Sequence, residues 1–149
     1  MRSHAQTLSW IALFSIYPFT NAFSQTIEVT ASGISFEPKV IAIEPGDTVR
    51  WTGMAGHSTA LITKLSPNGV MKWDSPVGSN FENTFTDEGI YIYQCKPHSN
   101  LGMAGAVIVG EPVNLNEIKN SPQDKTFEKI INEAIKFVET NHISEKPPE

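Results

Sequence analysis

The amino-acid sequence predicts an all-β fold, a Greek-key β-sandwich, followed by two C-terminal helices. Between residues 26 and 109 the chain runs in short segments in which apolar and polar residues alternate, and turn residues separate these segments. Short strands at this spacing are typical of a two-sheet sandwich. After Gly110 the apolar residues recur at helical spacing instead. The 149 residues suffice for one domain with its own core.

Residues 1–24 have the features of a secretory signal peptide. Arg2 is positively charged, residues 8–17 form an apolar stretch too short to span a membrane, and Ala22 and Ser24 are small residues suited to a cleavage site. We therefore expect export, with cleavage after Ser24, and with cleavage after Ala22 as the alternative. The formal net charge of -5 argues against a nucleic-acid-binding protein, which would need clustered Lys and Arg.

Residues 25–110 contain the predicted strands of the sandwich. In these strands apolar and polar residues alternate or β-branched residues are frequent, and Gly, Pro, Asn and Asp separate one strand from the next. They are predicted to cover residues 27–31, 34–36, 40–43, 48–52, 61–63, 81–85, 90–95 and 104–109. We predict that residues 70–80 form an irregular excursion.

Residues 111–140 are predicted to form a helical extension packed on the sandwich. Asn114 followed by Glu117 resembles a capping box, and Ser121 followed by Pro122 resembles the start of a second helix. An apolar stripe at helical spacing follows: Phe127, Ile130, Ile131, Ala134, Ile135 and Val138. Charges of both signs occupy the rest of this helix, which favours packing over a membrane role. We expect residues 141–149, with two prolines, to be disordered.

The loop between the last two predicted strands contains a group of potential metal ligands. Cys95, the only cysteine, is followed by His98 and Met103. A thiolate, an imidazole and a thioether form a soft ligand set, which favours copper over magnesium, calcium or manganese. His57, in the Gly-containing loop after the predicted strand 48–52, is the natural source of a second imidazole. The sequence therefore predicts an electron-transfer copper centre with these four residues as ligands.

Other interpretations of the same residues are open. Zinc accepts histidine and cysteine, but a thioether is not among its usual protein ligands. A Cys–His hydrolase would need an oxyanion hole and an orienting Asn or Asp, which cannot be assigned from the sequence. A lone cysteine can also be a small buried apolar residue. The ligand set is compatible with two functions, a one-electron carrier and a copper-binding module that stores, delivers or senses the metal.

The motifs resemble those of the cupredoxin family, and within it those of the pseudoazurin group. The Cys-x-Pro-His-x4-Met spacing is the specific part, and the matching segments extend over nearly all of the chain after the predicted signal peptide. They are Phe36-Glu37-Pro38, Pro45-Gly46-Asp47, Gly56-His57, Gly89-Ile90-Tyr91, Cys95-Lys96-Pro97-His98 and Gly102-Met103-Ala104-Gly105.

The resemblance implies a cupredoxin-like Greek-key sandwich of eight strands with one type 1 copper ion per chain. The ligands that it implies are His57, Cys95, His98 and Met103. It also implies a monomeric, periplasmic electron carrier rather than an enzyme. The implied partners are redox proteins such as a copper nitrite reductase or a cytochrome, without nucleic-acid binding or membrane insertion.

The sequence departs from the family pattern near the predicted site. Ser58 stands where the family usually has an asparagine that ties the two ligand loops together. Because serine is shorter, we expect another group or a water molecule to connect the loops. We also expect Pro97, Leu101 and Met103 to form a small apolar patch around His98, which suits a weak electron-transfer encounter. The lysines of the sandwich are few: Lys39, Lys64, Lys72 and Lys96.

Overall fold

A computed structural model describes residues 23–121 and 125–143. The predicted signal peptide, apart from Phe23 and Ser24, lies outside the described residues, as do residues 122–124 and residues 144–149 of the predicted disordered tail. Within the described ranges, no helix is both long enough and apolar enough to cross a bilayer.

The described chain folds into β-strands followed by two α-helices, which confirms the predicted all-β sandwich with C-terminal helices. The strands are β1 (Thr26–Ser32), β2 (Ser35–Glu37), β3 (Val40–Ile43), β4 (Thr48–Thr52), β5 (Ala60–Leu61), β6 (Phe81–Thr84), β7 (Gly89–Gln94) and β8 (Ala104–Val109). The helices are α1 (Leu115–Asn120) and α2 (Glu128–Thr140). Two short 3-10 turns, Thr63–Leu65 and Lys96–Leu101, lie after β5 and β7.

The strands form two four-stranded sheets. One sheet has the order β2-β1-β4-β6 and the other the order β3-β8-β7-β5. The pairs β1–β4 and β3–β8 are parallel, and the other pairs are antiparallel. The β7–β8 hairpin runs from Gly89 opposite Val109 to Gln94 opposite Ala104. Cys95 and Met103 therefore lie just beyond the paired residues, at one end of the sandwich.

The pleat of β7 and β8 divides the apolar residues into two cores. The sheet-to-sheet core lies between the sheets and includes Phe36, Trp51, Trp73, Phe85, Tyr91, Tyr93, Cys95 and Met103. The helix-side core lies beneath the helices and includes Ile90, Ile92, Ala106, Ile108, Ile118, Ile130, Ile131, Ala134 and Val138. In this second core, Ile130, Ile131, Ala134 and Val138 of α2 lie in one cluster with Ile90 and Ile92 of β7 and Ile108 of β8.

Residues 70–80 form the predicted irregular excursion, and one aromatic residue anchors it. The indole N–H of Trp73 donates to the hydroxyl of Thr59 at 3.2 Å, and its ring packs edge-on against Phe85 with centroids 5.6 Å apart. A single isolated bridge joins Asp74 to Ala60. Periodicity has no signal for a lone buried tryptophan in an irregular segment, so this anchor is visible only in the fold.

The first helix starts where it was predicted, without the expected capping bond, and the second starts later. The side chain of Asn114 does not cap α1; its Oδ1 accepts from the Ile90 N–H at 2.7 Å, and its Nδ2 donates to the Ile90 carbonyl at 2.9 Å. Ser121 follows the end of α1, where its hydroxyl donates to the Ile118 carbonyl at 2.8 Å, and α2 begins only at Glu128. The predicted start of α1 directly after Asn114 is confirmed, although the Asn114 side chain does not make the capping bond. The predicted start at Ser121 is wrong, because the Ser121 hydroxyl binds the backbone of α1 instead.

Candidate metal centre

The loop after β7 is held by its own backbone hydrogen bonds. The Cys95 N–H donates to the Met103 carbonyl at 2.9 Å and closes the loop at its base. The His98 N–H then donates to the Cys95 carbonyl at 3.1 Å, and the Gly102 N–H to the Ser99 carbonyl at 2.8 Å. Gly102 has a φ of 73°, which suits glycine, and this conformation returns the chain to β8. The positions of Cys95, His98 and Met103 along the loop are thus set by local geometry.

His57 is positioned by the loop that follows β4. Its N–H donates to the Met54 carbonyl at 2.8 Å, and its carbonyl accepts from the Gly78 N–H at 2.9 Å. The second bond ties this loop to the excursion of residues 70–80. Because both backbone groups of His57 have partners, the imidazole extends from a fixed point toward the loop after β7.

Three potential ligands converge at this end of the sandwich. The Cys95 Sγ lies 3.7 Å from Nδ1 of His57 and 3.5 Å from Nδ1 of His98. One ligand atom from each of these residues lies within 4.8 Å of the others. The two imidazole rings have centroids 4.9 Å apart and are tilted by 52°. Both histidines therefore present the same ring nitrogen to the thiol sulfur.

Burial differs among the potential ligands. Cys95 is fully buried, His57 is buried, and His98 is half-buried, so the second imidazole is the more exposed one. Met103 is buried in the sheet-to-sheet core together with Cys95 and Met54. Burial, and after it the charge of His98, hold the pKa of His57 below its ordinary value. Since a metal-bound imidazole must be neutral, this shift favours the ligating form.

Ser58 connects the two loops directly, contrary to the expectation that it is too short. Its hydroxyl accepts a hydrogen bond from the Lys96 N–H at 3.2 Å, and its own N–H points at the Cys95 Sγ at 3.5 Å. The serine reaches because the close approach of the two loops places the Lys96 amide beside it. A single residue thus joins the loops and places a donor on the sulfur.

A second connection near the site lies at the surface. The ammonium group of Lys96 forms an ion pair with the Asp74 carboxylate, and both side chains are more than half exposed. Exposed pairs of this kind contribute about 0–1 kcal/mol. The sequence signal for Asp74 is weak, because an acidic residue in an irregular segment has no periodicity or motif to mark it. The pair also neutralises the charge of Lys96, one of the four lysines of the sandwich.

Residues 23–110 match the copper binding proteins of the plastocyanin/azurin family, and the chain belongs to this family. The class is therefore that of the mononuclear copper proteins known as cupredoxins.

Within the family, this chain is similar to the pseudoazurins. Pseudoazurin from Paracoccus pantotrophus is 34% identical over 92 residues, which cover 60% of this chain and 63% of that protein. The pseudoazurin structures from Methylobacterium extorquens AM1 and Hyphomicrobium denitrificans each have a TM-score of 0.69 and 26% identity, with 76% of this chain and 98% of theirs covered. The chain spans slightly less than two thirds of the curated pseudoazurin that it matches.

The donor atoms fit the copper ion of this family. Two imidazole nitrogens and a thiol sulfur lie within 4.8 Å of one another, and the fully buried sulfur faces one backbone N–H. A buried thiol with two imidazoles is the soft set that copper takes at trigonal sites. Copper is therefore the metal that this family and these residues accommodate.

Proposed function

We propose that this protein is an exported one-electron carrier. Its proposed type 1 copper ligands are His57, Cys95, His98 and Met103. The observation that carries the proposal is the convergence of the two imidazoles and the thiol from loops whose backbones are hydrogen-bonded in place. When bound, type 1 copper supplies one-electron exchange between Cu(II) and Cu(I). A ligand frame that the fold sets in advance keeps the rearrangement between these two states small.

The surroundings of each proposed ligand suggest its part in electron transfer. The buried Cys95 sulfur is shielded from water and faces the Ser58 N–H, and hydrogen bonding to this sulfur is a means of tuning the reduction potential. The buried Met103 would supply the weak axial contact. The half-buried His98 is the proposed ligand with an edge at the surface. Electrons would therefore enter and leave through His98.

The spectrum of the copper-loaded protein tests the ligand assignment. We expect an intense visible band from thiolate-to-copper charge transfer, and we expect Cys95→Ser to abolish it because the hydroxyl cannot replace the thiolate. The control is His142→Ala, which removes an exposed histidine beyond α2. If the Cys95→Ser variant keeps the colour, the assignment is contradicted.

Voltammetry distinguishes a carrier from a copper store or delivery protein. We expect a reversible one-electron couple and slow loss of copper to a soluble chelator, because Cys95 and His57 are buried. Rapid handover of copper to the chelator without a reversible couple would favour storage or delivery instead.

The surface beside His98 is the proposed docking face for a redox protein. Leu101 is 63% exposed and Pro97 is exposed, but Met103 is only 1% exposed, so the expectation that Met103 belongs to the surface patch is wrong. A polar or charged group at the centre of an apolar contact raises the cost of docking. We therefore expect Leu101→Glu to slow electron exchange with a cytochrome or a copper nitrite reductase by about tenfold.

The control for this variant is Val113→Glu. Val113 is 57% exposed and packs beside Gly89, at the end of β7 opposite to Cys95. The visible spectrum should be the same in both variants. If Leu101→Glu and the unmodified protein transfer electrons at equal rates, the docking face beside His98 is contradicted and electrons leave through another face.

The proposed location is the periplasm. Its support is the charged and apolar leader of residues 1–24 with small residues before the expected cleavage point. A redox protein in the same compartment is the partner that this location requires.

A further inference from the structure

Asp47 is a buried carboxylate at the start of β4. Its side chain is 5% exposed and accepts hydrogen bonds from the Gln25 N–H at 2.7 Å and from the Glu44 N–H at 2.9 Å. The ion pairs formed among the described residues do not include Asp47. Burial of a carboxylate without a charged partner is costly. A positive charge on one of the two nitrogen atoms that donate to Asp47 would offset that cost.

Gln25 is where the regular hydrogen bonding of the fold begins. Its carbonyl accepts from the Thr48 N–H at 2.8 Å, and the next residue, Thr26, is the first of β1 and lies opposite Thr48. Upstream, Phe23 is 86% exposed, and the Ser24 hydroxyl donates an exposed hydrogen bond to the Gly46 carbonyl at 2.5 Å. The bond between Ser24 and Gln25 therefore lies at the boundary of the packed domain.

We infer that leader removal after Ser24 creates an ammonium group on Gln25 that forms an ion pair with the buried Asp47 carboxylate. The inference rests on the export part of the proposed function. A signal peptidase hydrolyses the Ser24–Gln25 peptide bond with one water molecule. The hydroxyl goes to the Ser24 carbonyl carbon, and the Gln25 nitrogen takes the hydrogen and then a proton from solvent. The nitrogen keeps its position beside Asp47 and gains a positive charge.

The timing of this pair follows from its chemistry. While the leader is attached, the Gln25 nitrogen is a neutral amide, so Asp47 has only neutral donors. After cleavage, one of these hydrogen bonds becomes charge-assisted, and such bonds are about twice as strong as neutral ones. The fold thus reaches its full stability only after export. Cleavage after Ala22 would leave the Gln25 nitrogen neutral and could not form the pair.

The first experiment determines the mature N-terminus. The full chain is expressed with its leader in an exporting bacterial host, and the purified copper protein is examined by intact mass and N-terminal sequencing. We expect a chain that begins at Gln25 with a free amine. A chain that begins at Phe23, or a Gln25 that has cyclised with loss of ammonia, would overturn this inference alone. A chain that keeps residues 1–24 would overturn the export proposal as well.

The second experiment measures the coupling between the new terminus and Asp47. Unfolding constants are compared for the mature protein and for a form that begins at Phe23, each with and without Asp47→Asn. We expect the longer form to unfold about tenfold more readily when Asp47 is present, and the difference to vanish in Asp47→Asn. If residues 23–24 change the unfolding constant equally with Asp47 and with Asn at that position, the ion pair is refuted.

The matched control is Glu44→Gln. Glu44 lies in the same turn with an exposed side chain, and its backbone N–H to Asp47 is unaffected by the substitution. The effect of the extension should persist in this variant. If Asp47→Asn does not fold, acetylation of the mature terminus in the unmodified protein is the substitute measurement. It should produce the same tenfold loss, and an unchanged unfolding constant would refute the pair.

Discussion

The two hydrophobic cores of this protein share one hairpin but differ in composition. On one side of β7, Tyr91, Tyr93 and then Cys95 face the sheet-to-sheet core; on the other side, Ile90 and Ile92 face the helices. The first core is built from aromatic rings in mutual contact, with centroids 5.0 Å apart for Phe36 and Tyr93 and 5.2 Å for Trp51 and Tyr93. The helix-side core is mainly aliphatic.

The difference shows which packing supports the proposed metal site. Cys95 and Met103 belong to the aromatic core, so their backbone positions depend on rings that have few rotatable bonds. Gly105 is part of the same arrangement, because a side chain there would collide with the ring of Tyr93. The helix-side core, which includes Ile131 and Ala134, covers the opposite face of the sheet. We therefore expect the stability of the fold and the geometry of the site to be separable.

A matched pair of core truncations is the strongest test of this comparison. Phe36→Ala and Ile131→Ala each empty a fully buried position, one in each core, and each should lower the free energy of unfolding by about 2–5 kcal/mol. Only Phe36→Ala should also change the visible copper spectrum, because Phe36 packs on Tyr93, two residues before Cys95. Chemical denaturation measures the first effect and absorption spectroscopy the second. An equal spectral change in Ile131→Ala would show that the two cores act as one.

A smaller effect is expected at the connection between the ligand loops. Ser58→Ala leaves the part-buried Lys96 N–H without its acceptor, which should cost about 1 kcal/mol and shift the copper spectrum and reduction potential. Ser99→Ala is the control, because the Ser99 hydroxyl also forms a hydrogen bond with Lys96. That bond goes to the Lys96 carbonyl and is exposed. If both variants change the spectrum alike, the Ser58 bond has no special part in positioning the site.

The effect expected to be smallest at neutral pH is the alkaline sensitivity of the aromatic core. Burial, and then the charge of Asp87, raise the pKa of Tyr91 to about 12, and burial also raises the pKa of Tyr93. The unfolded phenol loses its proton near pH 10, about two units earlier. This contribution to stability is therefore complete below about pH 10 and is lost as the pH rises toward 12.

Denaturant titrations between about pH 9 and pH 12 would measure this loss. Tyr91→Phe should make stability decline less steeply in that window, although it also removes the hydrogen bond from the phenol to the Asp87 carbonyl at 2.7 Å. Ile131→Val, in the aliphatic core, should keep the slope of the unmodified protein. A slope that Tyr91→Phe leaves unchanged would place the alkaline sensitivity in another group.

Local patterns predicted much of the fold. Alternation and turn residues located the strands, including the long hairpin of β7 and β8, and helical spacing located the stripe that includes Ile130 and Ile131. The close spacing of Cys95, His98 and Met103 indicated the loop that brings ligand types together. These features are short-range. The period of a strand or helix, and the residue types in one loop, depend only on residues that are close together in the sequence.

The amino-acid sequence by itself therefore determined the strand order along the chain, the helical stripe and the loop with its ligand types. Only the tertiary structure decided the partners of single polar side chains: Asn114 binds Ile90 rather than capping α1, and Ser58 accepts from Lys96, 38 residues away. It also decided that Trp73 is buried. The physical reason is that such bonds depend on how closely two distant segments approach. That distance follows from the packing of the whole sandwich, to which no local pattern refers.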